Sequence, residues 1–125
     1  MMAFEQAGED AMDDRIVHPW QSEYVIENTE TIAETPDLRV LRITLAEGEF
    51  IPWHYHSAVT DNFVCLEGDL QVETRAPRNL YRMAPGEECA VPAKTAHVVT
   101  NRGSGRCRFM LIQGLGPYDW LAAGG

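Results

Sequence analysis

Beyond about Glu23 the chain is written in short apolar runs punctuated by turn residues. Runs rich in Val, Ile, Leu, Thr and Phe cover Tyr24–Asn28, Arg39–Leu45, Phe50–His56, Phe63–Glu67, Leu70–Thr74, Glu88–Val91, His97–Thr100 and Arg108–Gln113. Between them stand Glu47-Gly48, Gly68-Asp69, Ala76-Pro77-Arg78-Asn79, Ala84-Pro85-Gly86 and Arg102-Gly103-Ser104-Gly105. Many short strands separated by roughly 8–12 residues predict an all-β sandwich or barrel. No stretch keeps the 3.6-residue apolar period of a helix, so long helices are not expected. Successive side chains of a strand point to opposite faces. Leu41, Ile43 and Leu45 therefore share one face and Arg42 and Thr44 the other. Leu70 and Val72 alternate with Gln71 and Glu73, and Phe109, Leu111 and Gln113 alternate with Met110 and Ile112. Half-apolar alternation of this kind is typical of antiparallel sheets.

Length and charge narrow the picture. At 125 residues the chain makes one domain. Ten basic residues against nineteen acidic give a formal net charge of −9, which repels phosphate backbones and excludes nucleic acid and anionic membrane as expected partners. No apolar run approaches the roughly 18–20 residues that span a bilayer. The first fourteen residues carry Glu5, Glu9, Asp10, Asp13 and Asp14 and little apolar content, so residues 1–14 are expected to be a mobile acidic tail before a single domain at 15–125. The same segment lacks the basic and apolar regions of a signal peptide. Cys65, Cys89 and Cys107 are odd in number and form no CxxC pair. They predict neither a disulfide framework nor a cysteine zinc site, and a reducing cytoplasm is the expected setting. Seven of the ten basic residues fall between Arg75 and Arg108; they read as solvated hairpin positions, or else as a steering patch for an anionic substrate.

The chemistry concentrates in the histidines. The chain has four: His18, His54, His56 and His97. His18 stands in Val17-His18-Pro19-Trp20 with no partner nearby. His54 and His56 stand at i and i+2 in Pro52-Trp53-His54-Tyr55-His56. On a strand that spacing sends both imidazoles to one face, about 7 Å apart along the chain, and suits two ligands of one metal ion. Trp53 and Tyr55 then face the other way. The flanks extend the pattern. Gly48 stands six residues before His54, Asp61 five after His56 and Gly68 seven after Asp61. Gly86 stands six before Pro92, His97 five after it and Asn101 four after His97.

In these two spaced motifs the sequence resembles the cupin superfamily. The resemblance covers Gly48 to Asn101 and implies an all-β fold, the double-stranded β-helix or jelly-roll barrel, with a metal site inside. The family's ligands fall on His54, His56, His97 and, for its usual glutamate, Asp61. Two positions depart from the pattern. Asp61 is one methylene shorter than glutamate, so it binds directly only if its strand sits closer, or else it holds a bound water. Lys94 replaces the second motif's central glycine, and a turn of a different shape is expected there.

Strand parity adds a lining. Phe63 and Cys65 share the face of Asp61, Val99 and Asn101 that of His97, and Gln113 sits with Phe109 and Leu111. The ending Gly114-Leu115-Gly116-Pro117-Tyr118-Asp119-Trp120-Leu121 is glycine-rich and then aromatic, and is expected to pack on the barrel or its mouth. Three nitrogens and one oxygen leave two positions of an octahedron open, which suits Fe, Mn, Ni or Co; Zn fits too, especially if Asp61 does not bind. The resemblance implies a metal-dependent enzyme on a small organic substrate, dioxygenase-like or isomerase/lyase-like. The alternatives are a non-catalytic cupin that binds or senses a small molecule or metal, and a metal-free barrel. Like many cupins, the chain is expected to dimerise, since unpaired sheet edges need cover.

Overall fold

The computed structural model describes residues 25–124. The acidic tail at 1–14, the start of the domain at residue 15 and His18 lie outside the described residues. Ten strands follow one another: β1 (Asn28–Thr35), β2 (Leu38–Leu45), β3 (Phe50–Tyr55), β4 (Thr60–Glu67), β5 (Leu70–Thr74), β6 (Asn79–Met83), β7 (Glu88–Val91), β8 (His97–Asn101), β9 (Cys107–Gly114) and β10 (Leu121–Ala122). They form two five-stranded antiparallel sheets, ordered β1-β2-β9-β4-β7 and β10-β3-β8-β5-β6. No ladder joins the sheets among the described residues. The jelly roll is thus a two-layered sandwich rather than a barrel closed by hydrogen bonds.

The register explains how the interior is layered. In the first sheet Leu41 of β2 lies opposite Leu111 of β9, which lies opposite Phe63 of β4. The next inward row is Ile43, Phe109 and Cys65. All six are buried, with Phe63, Phe109 and Cys65 fully so. One step toward the other end of the strands the same face becomes polar: Arg39 opposite Gln113, and Gln113 opposite Asp61. The second sheet repeats the scheme. Val99 lies opposite Ile51 and Val72, while His97 lies opposite His54 and Thr74. Each sheet thus carries apolar rows and a buried polar row, and the two polar rows supply one cluster of site residues.

Strict alternation does not account for both Ile51 and His54 facing inward, because they are three residues apart. The β3–β8 register shifts between them, at Pro52 and Trp53. A bulge there resets the parity, and proline, which has no N–H to lose from the ladder, suits it. At Gly68 φ is +88° and an added Cβ would lie 2.6 Å from the Arg106 carbonyl oxygen, so only glycine lets β4 turn into β5 beside the start of β9.

Three strands differ from the sequence expectation. The run at Tyr24–Asn28 is no strand over its described part; Asn28 instead opens β1, which runs to Thr35. β1 is an edge strand that is mostly exposed, so it shows no apolar alternation. It is held by its ladder to β2 and by Arg42, whose Nε and Nη2 donate to Glu30 Oε1 at 2.9 and 2.7 Å. β6 and the two-residue β10 are edge strands as well.

Candidate metal centre

His54 ends the bulged stretch of β3, His56 follows that strand, His97 opens β8 and Asp61 lies near the start of β4. All four are buried, at 1–3% exposure. One donor atom from each lies within 4.8 Å of the others. Asp61 Oδ2 is 3.0 Å from His56 Nε2 and 3.0 Å from His97 Nε2. The His54 ring centroid is 4.3 Å from that of His97 and 5.0 Å from that of His56.

The other nitrogen of each ring fixes its role. His54 Nδ1 lies 2.7 Å from the Pro52 carbonyl oxygen, His56 Nδ1 2.6 Å from that of Asp119, and His97 Nδ1 2.8 Å from that of Thr95. A carbonyl only accepts, so all three Nδ1 atoms carry the proton and donate. In the neutral ring Nε2 is then a lone pair. With all three rings neutral, the lone pairs of His56 and His97 would face the Asp61 carboxylate, so the cluster calls for positive charge between them: protons that Nε2 donates to Asp61, or a cation bound by all four groups. Carbonyl partners on Nδ1 are also how metal-binding histidines are oriented. Donors at right angles and about 2.1 Å from a common ion are about 3 Å apart, which is the separation Asp61 Oδ2 keeps from two imidazoles. The donor set therefore fits a divalent transition metal.

Electrostatics agree. Burial, helped by His97, pushes His54 down to about 3, so it stays neutral. Burial opposes charge on His56 too, but the Asp61 hydrogen bond and charge outweigh it and raise its pKa. Burial likewise acts against ionised Asp61, yet hydrogen bonds from His56 and His97 hold it well below the ordinary carboxylate range. Asp61 is ionised and seeks positive charge.

The surroundings sort the remaining sequence expectations. Gln113 points inward, and its Nε2 donates to Asp61 Oδ1 at 2.9 Å. Phe63 meets His97 edge-on at 6.1 Å, the expected apolar wall. Cys65 is buried in the second apolar row below Asp61, away from the histidines. Asn101 is buried but acts as a clamp, its Nδ2 donating to the carbonyls of Leu45, Ala46 and Gly105 and its Oδ1 accepting from Gly103 N–H. Lys94 takes the left-handed conformation that glycine favours, at φ +67°, and its N–H donates to the His56 carbonyl at 2.7 Å. That hydrogen bond holds the left-handed turn against its steric cost of roughly 1–2 kcal/mol. Along the basic stretch Arg75 stacks on Trp53, while Arg78, Arg82 and Arg108 face Glu73, Asp69 and Glu67, as solvated hairpin positions do.

Two groups of site residues escaped the sequence reading. The closing segment covers the histidines: Trp120 stacks on His54 at 5.0 Å, Tyr118 lies 5.4 Å from His56, and Asp119 gives the carbonyl that orients His56. Its aromatic run suggested packing at the mouth but not which rings it would meet. Arg39 is the other. It has the parity of Leu41, Ile43 and Leu45, a signal that places it inward, and it is buried under Tyr118, 3.8 Å from the ring centroid.

The sequence matches the model of the cupin domain over residues 41–113, and the chain belongs to that family. No curated protein matches it. Among solved structures, an uncharacterised conserved protein with a double-stranded β-helix domain from Klebsiella pneumoniae is similar. It has a TM-score of 0.68 and 19% identity over 90% of this chain and 100% of that one. Oxalate decarboxylase from Bacillus subtilis, known for its Mn(II) centres, gives a TM-score of 0.63 and 18% identity over 69% of this chain. Recombinant oxalate oxidase in complex with glycolate gives 0.64 and 18% over 76%. This chain spans 24% of the decarboxylase chain and 54% of the oxidase chain. At such identities the likeness concerns the fold.

Proposed function

We propose that His54, His56, His97 and Asp61 hold a divalent transition metal and that the protein is a metal-dependent enzyme acting on a small organic substrate, dioxygenase-like or isomerase/lyase-like. The observation that carries the reading is the convergence of three Nε2 atoms, each turned inward by a carbonyl on Nδ1, upon an ionised carboxylate. A bound ion would polarise oxygen donors of the substrate. The chain's own residues orient and enclose: Gln113 fixes the Asp61 carboxylate, Trp120 packs on His54, and Phe63 excludes water beside His97. Mn(II) gains support from the decarboxylase's manganese centres, with Fe, Ni, Co and Zn as competitors for the same donors.

The partner in this reading is a small molecule; the net charge of −9 disfavours nucleic acid and anionic membrane. No helix among the described residues is long and apolar enough to cross a membrane. A cytoplasmic setting accords with three free thiols. A homodimer is supported by the exposed edge strand β1, which carries Ile32 at 47% exposure, and light scattering of the purified protein tests it. For the site, elemental analysis of untagged protein purified without chelator is expected to find one metal per chain. His54→Ala and His97→Ala are expected to lose it. Wild-type protein that takes up no Mn, Fe, Co, Ni or Zn overturns the reading.

A further inference from the structure

Arg39 stands out as the side chain whose position the metal alone does not explain. It is 6% exposed, and neither its Nε nor its Nη1 has a hydrogen-bond partner. A guanidinium is always charged and carries five N–H donors. Burying it without acceptors costs several kcal/mol. The nearest carboxylate in the row, Asp61, is already engaged by His56, His97 and Gln113. Tyr118 offers the guanidinium a ring face at 3.8 Å and a side-chain hydrogen bond, which ease its charge but leave Nε and Nη1 without an acceptor.

The register places this unmet charge beside the metal cluster. Arg39 is paired with Gln113 and Gln113 with Asp61, so the three side chains stand in one inward row, at about 4.8 Å per strand. Tyr118 touches both sides, with His56 at 5.4 Å and Arg39 at 3.8 Å. Gln113 adds a second unmet group. Its amide nitrogen faces Asp61, because a carboxylate accepts only, and its Oε1 is buried with no donor. The row therefore offers orphan cationic donors and an orphan neutral acceptor, next to a place for a divalent cation. Counting Asp61 as −1, Arg39 as +1 and the ion as +2, the buried region carries a surplus of positive charge that an anion balances.

The geometry points to a ligand subsite for a small hydroxycarboxylate, in which Arg39 takes the carboxylate and Gln113 Oε1 accepts a hydrogen bond from the neighbouring hydroxyl. The inference deepens the proposed function by naming a ligand class for the same site, and it rests on that reading for the ion beside the subsite. Charge-assisted N–H···O bonds supply the recognition, and the row's orphan groups are satisfied together only when the ligand is bound.

Lactate, propionate and propane-1,2-diol test it, since propionate lacks the hydroxyl and the diol lacks the carboxylate. Titration of the full chain loaded with Mn(II), read by calorimetry and by ligand-dependent thermal shift, is expected to rank them lactate, propionate, diol. Arg39→Met, which keeps the length without the charge, is expected to lower lactate affinity at least about tenfold. It should still hold one metal per chain, with no loss of melting temperature in the absence of ligand. Gln113→Met is expected to erase the preference for lactate over propionate. Lactate bound equally by wild type and Arg39→Met, diol bound as well as lactate, or no binding by the metal-loaded chain would each overturn the subsite while leaving the metal reading intact. Arg39-dependent lactate binding by a chain that holds no metal would instead sustain the subsite and overturn the metal reading.

Discussion

His54 is held neutral at ordinary pH by its burial, and that has a measurable sign. Its folded pKa, about 3, lies below its ordinary 6.5, so between those values the unfolded chain binds more protons and stability falls as pH falls. His56 is raised: its contribution is present below 6.5 and is lost as pH rises toward its folded value. For the metal-free protein the two together predict a stability maximum near pH 6.5. The acid limb has a slope of up to about 1.4 kcal/mol per pH unit from His54. Urea melts across pH 4–8 measure it, and His54→Leu is expected to flatten the acid limb. A second residue-scale prediction concerns Lys94. Lys94→Gly keeps the N–H bond to His56 and removes the left-handed strain, so it is expected to raise stability by about 1 kcal/mol, a shift of several degrees in melting temperature. At the site, Asp61→Asn keeps the volume and removes the charge. Metal affinity measured by competition with a chelator is expected to fall at least about 100-fold, beyond the loss usual for supporting groups around a metal.

Strands were legible in the sequence to the degree that they are buried on one side. β5 and β9 alternate throughout, and β2 and β4 over most of their length, and the apolar runs of the sequence lie within a few residues of each. β1, β6 and β10 lie at sheet edges and bury little; their strand character comes from backbone pairing, which leaves no mark on composition. The i, i+2 spacing of His54 and His56 lies beyond the bulge at Pro52–Trp53, which a two-residue period does not show and which turns His54 to the side of Ile51. Arg39 was readable by parity alone, but a charged residue at a strand's start is ordinarily taken for an exposed end. The closing segment offers its own test. Because Trp120 stacks on His54, binding of Co(II) or Ni(II) is expected to quench tryptophan fluorescence, and Trp120→Phe is expected to remove most of that quenching while Trp53→Phe leaves it.

For the whole molecule, the division of each sheet into apolar and polar rows separates stability from chemistry. Phe63 and Phe109 are fully buried and 5.8 Å apart, and Phe109→Ala is expected to cost about 3–5 kcal/mol in denaturant melts. The polar row is buried as well, but it keeps unpartnered polar atoms on Arg39 and Gln113, so it is built for binding rather than for packing. The family and the set of four side chains were visible in the spacing of two sequence motifs, which fall on β3 with the residue after it, on β4 and on β8. The roof over them was not, because Asp119 reaches His56 from 63 residues away.

Asp61 belongs to one sheet and His54 and His97 to the other. An ion shared by them would act as a rivet through both plates of the sandwich, so loading the site should slow amide exchange in β4 and β8 together while leaving the rim strand β1 free to breathe.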